Sequence, residues 1–309
     1  MSIQTELARI KGAKADLKSW VEENGVTVPD GTLLDGLVTL AKTVETGGGG
    51  DDAAVVDALI DGSITEISNS MATIVNDYKF HGCKSLTTVD FPVATSIKQQ
   101  AFYSCTNLTT VNFPVVTKVG NSAFYSCTSL TTVNFPVATK VENSAFYNCT
   151  SLTTVDFPVA TSIGEQAFYS CTNLTTVNFP VVTKVGNNMF ENCKKLTVID
   201  FPAATSIGAA SFRYCSSLTT ADFPAVGSIN NVAFFECSKF TALILRKTDT
   251  VCTLSNTNAF TSTPIASGTG YIYVPSALVD SYKAATNWST FADQIRAIED
   301  YPDITGGAA

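Results

Sequence analysis

The sequence has few charged residues and an excess of acidic over basic ones. Only 15% of its 309 residues are charged, and 19 Lys and Arg against 27 Asp and Glu give a formal net charge of −8. Nucleic-acid binding depends on Lys and Arg that neutralise phosphates, so this balance argues against a nucleic-acid partner. No stretch approaches the roughly 18 to 20 apolar residues that cross a bilayer, so membrane insertion is not predicted.

Histidine occurs once, as His81. A zinc site built on histidine spacing is therefore excluded, and we predict no Ser-His-Asp triad. Cys83 lies nearby, but its place in the repeat predicts a buried thiol rather than a nucleophile. Ca²⁺ needs six to eight oxygens from a converging loop, whereas the recurring acids Asp90, Asp156, Asp200 and Asp222 come from separate repeats. We predict no catalytic residue, no metal and no cofactor.

A basic segment followed by an apolar run is also missing from the first residues, Met1 to Leu7. We therefore expect no secretory signal peptide in this sequence. The export route is left open: delivery by a virion or by lysis is favoured, and a bacterial surface protein whose export signal is missing here is the alternative.

The dominant feature that is present is a 22-residue period. Eight cysteines follow it: Cys83, Cys105, Cys127, Cys149, Cys171, Cys193, Cys215 and Cys237. Seven Phe-Pro pairs keep the same step, and a phenylalanine stands three residues before each of the eight cysteines. A constant period with apolar residues in fixed positions predicts a solenoid, in which neighbouring coils stack to make one continuous core.

Each repeat reads Leu-x-x-Val-x-Phe-Pro, as in Leu108 to Pro114. This segment predicts a strand with Leu, Val and Phe inward, which the proline ends because it has no N–H to donate. The chain then continues through an Ile or Val to Ala-Phe, as in Ala123-Phe124, and we expect a short helical or irregular turn there.

The periodic cysteines are expected to form a buried column of reduced, structural thiols. Column neighbours would lie about 4.8 Å apart, so distance alone does not exclude disulfides. Parallel side chains suit stacking better than the torsion of a disulfide, however. Cys252 lies outside the period and has no assigned role.

The chain is predicted to divide into six parts. They are a helical hairpin (1–46), a Gly-rich linker (47–52), an N-terminal cap with a degenerate first coil (53–78), the repeats (79–246), an irregular last coil with a C-terminal cap (247–300) and a tail (301–309). In the cap we expect a strand at Tyr271 to Val274, and then a helix from Ser276 whose apolar face is continued by Trp288, Phe291, Ile295 and Ile298. The hairpin buries little by itself, so we expect residues 1–45 to pack on copies of themselves or on a partner.

The repeats also record a recent duplication. Residues 85–121 and 151–187 differ only at Lys98/Gly164 and Gln99/Glu165 across 37 positions. A block of three repeats was copied with little divergence since. Such an array suits a recognition surface and equally suits a plain spacer.

Together, Leu-x-x-Val-x-Phe-Pro and Ile-Gly-x-x-Ala-Phe-x-x-Cys resemble the BspA-type, or Treponema-type, leucine-rich repeat. Tyr273-Val274-Pro275, Tyr282-Lys283 and Trp288 are similar to that family's C-terminal cap. The resemblance implies an α/β repeat solenoid, a right-handed leucine-rich-repeat-type stack of about nine to ten short parallel strands, and binding rather than catalysis. The N-terminal segment, with Ala15 to Lys18 and Gly25 to Pro29, resembles leaders of phage and prophage tail-region proteins.

The outward strand residues are the candidate binding site: Thr110, Asn112, Thr132, Asn134, Thr154, Asp156, Thr176 and Asn178. We expect them to bind a protein or glycan on a cell surface. The chain itself is expected to be extracellular, either on a cell surface or on a virion. A merely solvated sheet, a structural spacer and a threonine array for ice or crystals are the alternatives. A periodic row of Tyr103, Tyr125, Tyr147 and Tyr169 is expected on the outer face, with a sugar-stacking platform as its alternative reading.

Overall fold

A computed structural model describes residues 65–305 of the chain. The predicted hairpin (1–46) with its expected self-association, the linker (47–52), the first part of the N-terminal cap (53–64) and the end of the tail (306–309) lie outside the described residues.

Twenty short strands make up most of the regular structure. They are β1 (Glu66–Ser68), β2 (Ile74–Val75), β3 (Thr88–Asp90), β4 (Ser96–Ile97), β5 (Thr110–Asn112), β6 (Lys118–Val119), β7 (Thr132–Asn134), β8 (Lys140–Val141), β9 (Thr154–Asp156), β10 (Ser162–Ile163), β11 (Thr176–Asn178), β12 (Lys184–Val185), β13 (Val198–Asp200), β14 (Ser206–Ile207), β15 (Thr220–Phe223), β16 (Ser228–Ile229), β17 (Ala242–Leu245), β18 (Thr253–Leu254), β19 (Tyr271–Val274) and β20 (Ile295–Ala297).

Each coil contributes one strand to each of two rows. The first row holds the odd-numbered strands and β20, eleven in all, and the second holds the even-numbered strands from β2 to β18. All pairs are parallel, and each residue lies beside the residue at the equivalent position of the next coil. Thr88, for example, lies beside Thr110 and Val89 beside Val111. The predicted parallel solenoid is confirmed. Its first row exceeds the expected nine to ten strands because the C-terminal cap adds to it.

Apolar side chains fill the interior in columns. Leu108, Phe113, Phe124 and Cys127, from successive positions of the repeat, are at most 1% exposed. Phe124 stacks between the equivalent rings of the coils before and after it, with centroids 5.1 and 5.3 Å away. Burial of each such side chain stabilises the fold by about 1.5 to 3 kcal/mol, so the periodic residues hold the stack together.

The return segment of each coil is an irregular turn rather than a helix. Residues on either side of Ala-Phe have left-handed backbone, as at Ser122 (φ 52°) and Ser126 (φ 55°). Their N–H groups donate to the next coil, to Asn143 O at 2.9 Å and to Tyr147 O at 2.7 Å. The hydrogen-bond ladder between coils thus continues through turns that have no regular secondary structure.

The C-terminal cap closes the last coil with mixed elements. Three-ten turns at Thr257–Phe260 and Ser276–Leu278, helix α1 (Val279–Ala284) and a three-ten segment at Trp288–Gln294 precede β20, and two further turns at Ile298–Asp300 and Pro302–Thr305 follow it. The strand predicted at Tyr271 is confirmed. The helical expectation for Ile295 is wrong, because Ile295 pairs with Ile272 as the last strand of the row.

Candidate functional site

The outward side of the first row between β1 and β15 is called the strand face here. Strands β5, β7, β9 and β11 bring all eight predicted binding residues together on it. Seven of the eight are exposed and Asp156 is half-buried. Alternation places Val133 and Val155 inward between them, so the strand face is a flat surface of hydroxyl, amide and carboxylate groups.

Two of the predicted residues are held by a neighbouring carboxylate. Asn112 Nδ2 donates to Asp90 Oδ1 at 2.7 Å, and Asn178 Nδ2 donates to Asp156 Oδ1 at 2.8 Å. Within residues 65–305, the side chains of Thr132, Asn134 and Thr154 form no hydrogen bond. The centre of the strand face therefore keeps its donors and acceptors open to solvent.

Most hydroxyls of the adjacent threonine column are bonded within the solenoid, a feature that sequence reasoning missed. Thr109 Oγ1 donates to Thr87 O at 3.1 Å, and Thr175 Oγ1 donates to Thr153 O at 3.1 Å. These hydroxyls fasten one coil to the previous one. In the sequence they are indistinguishable from the outward threonines that follow them, such as Thr110.

Beyond β15 the outward residues of the first row are apolar instead of polar. On β17 and β19 the outward residues Ala242, Ile244 and Tyr273 form a separate apolar cluster, against which Ile298 and Ile304 pack. The C-terminal turns thus cover this end of the row, and the open strand face ends before it.

An ion pair marks the boundary between the open and the covered part. Arg246 Nη2 lies 2.6 Å from Asp222 Oδ2. Burial and the neighbouring Asp222 raise the pKa of Asp200, while Arg246 opposes this. Arg246 and Lys247 also border a shallow groove of about 530 Å³. Lys247 is 3.5 Å from Asp249, so the cations of the groove already have acidic partners.

The eight periodic cysteines and Cys252 are all buried and unpaired. From Cys105 onward, each periodic thiol donates to the carbonyl of a phenylalanine 25 residues earlier, as Cys127 Sγ does to Phe102 O at 3.1 Å. Burial raises the pKa of Cys171 to about 12. A buried, protonated thiol is a poor nucleophile and a poor metal ligand, and the thiols of this column donate hydrogen bonds from one coil to another.

The tyrosine row forms a stack on the turn side of the solenoid. His81, Tyr103, Tyr125, Tyr147 and Tyr169 follow one another with centroids 4.5 to 4.8 Å apart and planes within 7° of parallel. Each inner ring uses both of its faces on its neighbours, so a sugar ring cannot stack on the inner rings, which contradicts the platform reading for that part of the row. His81 is thus part of a stack, and its sequence neighbour Cys83 is a buried thiol.

The described part of the chain shows neither a metal-binding cluster nor a membrane-spanning helix. Between residues 65 and 305, no three His, Cys, Asp or Glu side chains come together where they could hold a metal ion. In that range there is also no helix long and apolar enough to span a bilayer.

Comparison with solved structures finds bacterial leucine-rich repeat proteins. A leucine-rich repeat protein of T. pallidum is 24% identical over 57% of this chain and 77% of its own, with a TM-score of 0.44. A leucine-rich cell surface protein of Faecalibacterium prausnitzii is 19% identical over 74% and 82%, with a TM-score of 0.35. One from Bacteroides ovatus is 18% identical over 77% and 84%, with a TM-score of 0.41. No curated protein matches the chain.

A family model gives the sequence evidence. The model described as "BspA type Leucine rich repeat region" matches residues 61–160 and 139–266, about two thirds of the chain. The matched residues contain the periodic cysteines, the inward Leu, Val and Phe and the strand face. The N-terminal segment lies outside the match, so its resemblance to tail-region proteins stays a prediction. The chain belongs to the BspA-type leucine-rich repeat family.

Proposed function

We propose that the chain is a non-enzymatic recognition and adhesion module that binds a protein or glycan on a cell surface through its strand face. One observation carries this proposal: the side chains of Thr132, Asn134 and Thr154 have no hydrogen-bond partner within residues 65–305. The buried thiols, most of the neighbouring threonine column and the tyrosine stack make contacts between coils instead.

Rigidity supports the same proposal. The outward residues sit on strands that pair in register, as Thr132 does with Thr154 and Asn134 with Asp156. Ordering side chains and loops on binding costs free energy, and a surface already fixed by folding loses less of it. A flat array of fixed donors and acceptors therefore suits recognition of an extended partner along the solenoid.

Residues 1–45 are proposed as the attachment or oligomerisation segment of this module. Several copies on one assembly would raise the apparent affinity of a weak strand face by avidity. We propose an extracellular position, on a virion or on a bacterial surface, because the partner of such a face lies outside the cell.

Binding to cells tests the proposal with a matched pair of variants. Thr154→Arg places a long cation in the middle of the strand face, and Ser162→Arg places the same group on β10 in the same coil. Both positions are exposed strand residues. The labelled full chain and both variants would be applied to bacterial and animal cells, before and after protease or glycosidase treatment of the cells.

We expect the wild type and Ser162→Arg to bind equally and Thr154→Arg to lose most binding. Equal loss in both variants, or none in either, would contradict a role of the strand face. If no cell type binds the wild type, the structural-spacer alternative takes its place.

A further inference from the structure

The first row of strands is interrupted at two places. Its hydrogen-bonded pairing divides into the sheets β1-β3-β5, β7-β9-β11 and β13-β15-β17-β19-β20. The first gap lies between β5 and β7, and the second gap lies between β11 and β13. They are three coils apart, and both open onto the strand face.

Backbone groups at both gaps lack a bond that joins other coils. Thr153 N–H donates to Thr131 O at 3.0 Å, and this contact recurs along most of the row. Among the residues that the structure describes, the matching bonds from Thr131 to Thr109 and from Thr197 to Thr175 are missing. Each gap therefore presents an N–H group and a carbonyl oxygen that strand pairing does not use.

Each gap also exposes part of a core side chain. Val111 on β5 and Val177 on β11 are half-buried. Val89 and Val155, at the same position of other coils, are fully buried. Because Val111 and Val177 are the inward residues of strands that border a gap, each gap has an apolar floor beneath a polar rim.

The bordering strands belong to the two copies of the duplicated block. Thr110 to Asn112 and Thr176 to Asn178 have the same sequence and make the same contacts, down to threonine hydroxyl pairs that are 3.5 Å apart in both. The two differences between the copies lie after β4 and β10, away from the strand face. The opposite walls differ, with Thr132 and Asn134 at the first gap and Val198 and Asp200 at the second.

We infer that the two gaps are paired subsites for one linear neutral glycan. This inference rests on the proposed function and names its ligand class. A pyranose ring has apolar C–H faces and hydroxyl edges, which match the valine floor and the rim of Thr and Asn side chains. The described strands on either side of the first gap carry no basic residue, so an anionic glycan would have no counter-charge there. The nearby Asp90 is already paired with Asn112.

The spacing of the gaps implies a repeating ligand. Three coils at a strand spacing of about 4.8 Å put the subsites roughly 14 Å apart along the solenoid. A chain of sugar units long enough to span them makes its second contact intramolecularly, which raises apparent affinity by roughly a hundredfold or more over a short one.

Neutral hexose oligosaccharides of two to ten units are the probe, titrated calorimetrically into the full chain. Thr110→Arg obstructs the rim of the first gap and Thr176→Arg that of the second, while Ser162→Arg on β10 is the control. Thermal unfolding of each variant checks that it folds, since all three positions are exposed on the surface.

We expect affinity to rise roughly a hundredfold once the glycan is long enough to span both gaps. Each single gap variant should bring the long glycan down to the affinity of a short one, and the double variant should abolish binding. Affinity independent of length, loss of all binding in one single variant, or no binding of any probe would overturn the inference.

Failure of the inference and failure of the proposed function remain distinguishable. In one outcome, protease treatment of the cells and Thr154→Arg both remove binding to cells, while no glycan binds in the titration. The strand face then recognises a protein, so the glycan inference is overturned but the proposed function stands. If Thr154→Arg leaves cell binding unchanged, the proposed function fails with it.

Discussion

The same row of strands has two stretches whose outer surfaces differ completely. From β3 to β15 the outward side chains are mostly Thr, Asn and Asp, and they are open to solvent. On β17 and β19 the same positions carry Ala242, Ile244 and Tyr273, and the C-terminal turns cover them. The strands pair in parallel and the interior is apolar in both stretches, so the difference in exposure follows from the outward side chains and from the turns that cover the apolar ones.

Alkaline pH should destabilise both stretches, because the buried thiols run beneath each of them. Burial raises the pKa of Cys171, under the open stretch, and of Cys252, under the covered one, to about 12, from an ordinary value of 9.0. The folded state keeps these thiols neutral. The contribution of each thiol to the free energy of unfolding is therefore complete below pH 9. It falls by about 1.4 kcal/mol per pH unit as the pH rises toward the pKa of the folded state.

Urea unfolding between pH 7 and 11 measures this loss. Cys171→Ala and Cys252→Ala should each make the decline above pH 9 shallower by about 1.4 kcal/mol per pH unit. Variants that are as sensitive to pH as the wild type would mean that these thiols titrate normally in the fold.

Removing a core ring should cost the same in either stretch. Phe124 lies under the open stretch and Phe260 under the covered one, and both are fully buried. Each Phe→Ala change should lower the free energy of unfolding by about 3 to 5 kcal/mol, since it leaves a cavity in a continuous stack. Chemical denaturation of both variants is the measurement. A loss below about 1 kcal/mol at Phe124 would contradict its inward position.

Exchanging outward residues should show the contrast between the stretches directly. Ile244→Asn puts an amide under the C-terminal turns and should lower stability by about 2 to 4 kcal/mol, with faster proteolysis of residues 298–305. Asn134→Ile, at the same position of the open stretch, should change stability by no more than about 0.5 kcal/mol. Equal effects in urea unfolding would mean that the two surfaces do not differ as described.

A modest gain in stability is expected at Val232, on the turn between the two stretches. Val232 has a left-handed backbone with φ 50°, which is costly for a β-branched residue. Most other coils place Ser, Gln or Asn there, as at Asn188. Val232→Asn should therefore raise stability by about 1 kcal/mol, measured as a higher urea midpoint. Val→Asn at exposed Val198, which is on a strand, is the control and should give no gain.

The period revealed the core because one apolar residue in each position must stack on its neighbours. Leu108, Phe113 and Phe124 could thus be placed inward from spacing alone. The cap was harder: Ile295 fits a helical face in the sequence, but pairing with Ile272 holds it in a strand.

The candidate site was predicted only in part. Outward threonines and asparagines follow from alternation, whereas the gaps do not. Val111 and Val133 occupy the same Thr-Thr-Val-Asn-Phe-Pro context, and their different exposure arises from how successive coils stack. The second row of strands was also not expected, because a pair of residues such as Lys118–Val119 is too short to show the alternation of a strand.

Residue-resolved amide hydrogen exchange of the full chain tests the central claim, a strand face that is open in one stretch and interrupted at two equivalent places. Thr153 and Thr219 donate their N–H groups to the preceding coil at 3.0 and 2.8 Å, and should exchange slowly. The amides of Thr131 and Thr197, at the two gaps, should exchange much faster than these. Equal protection of all four amides would show that the strand row is continuous, and would contradict the account.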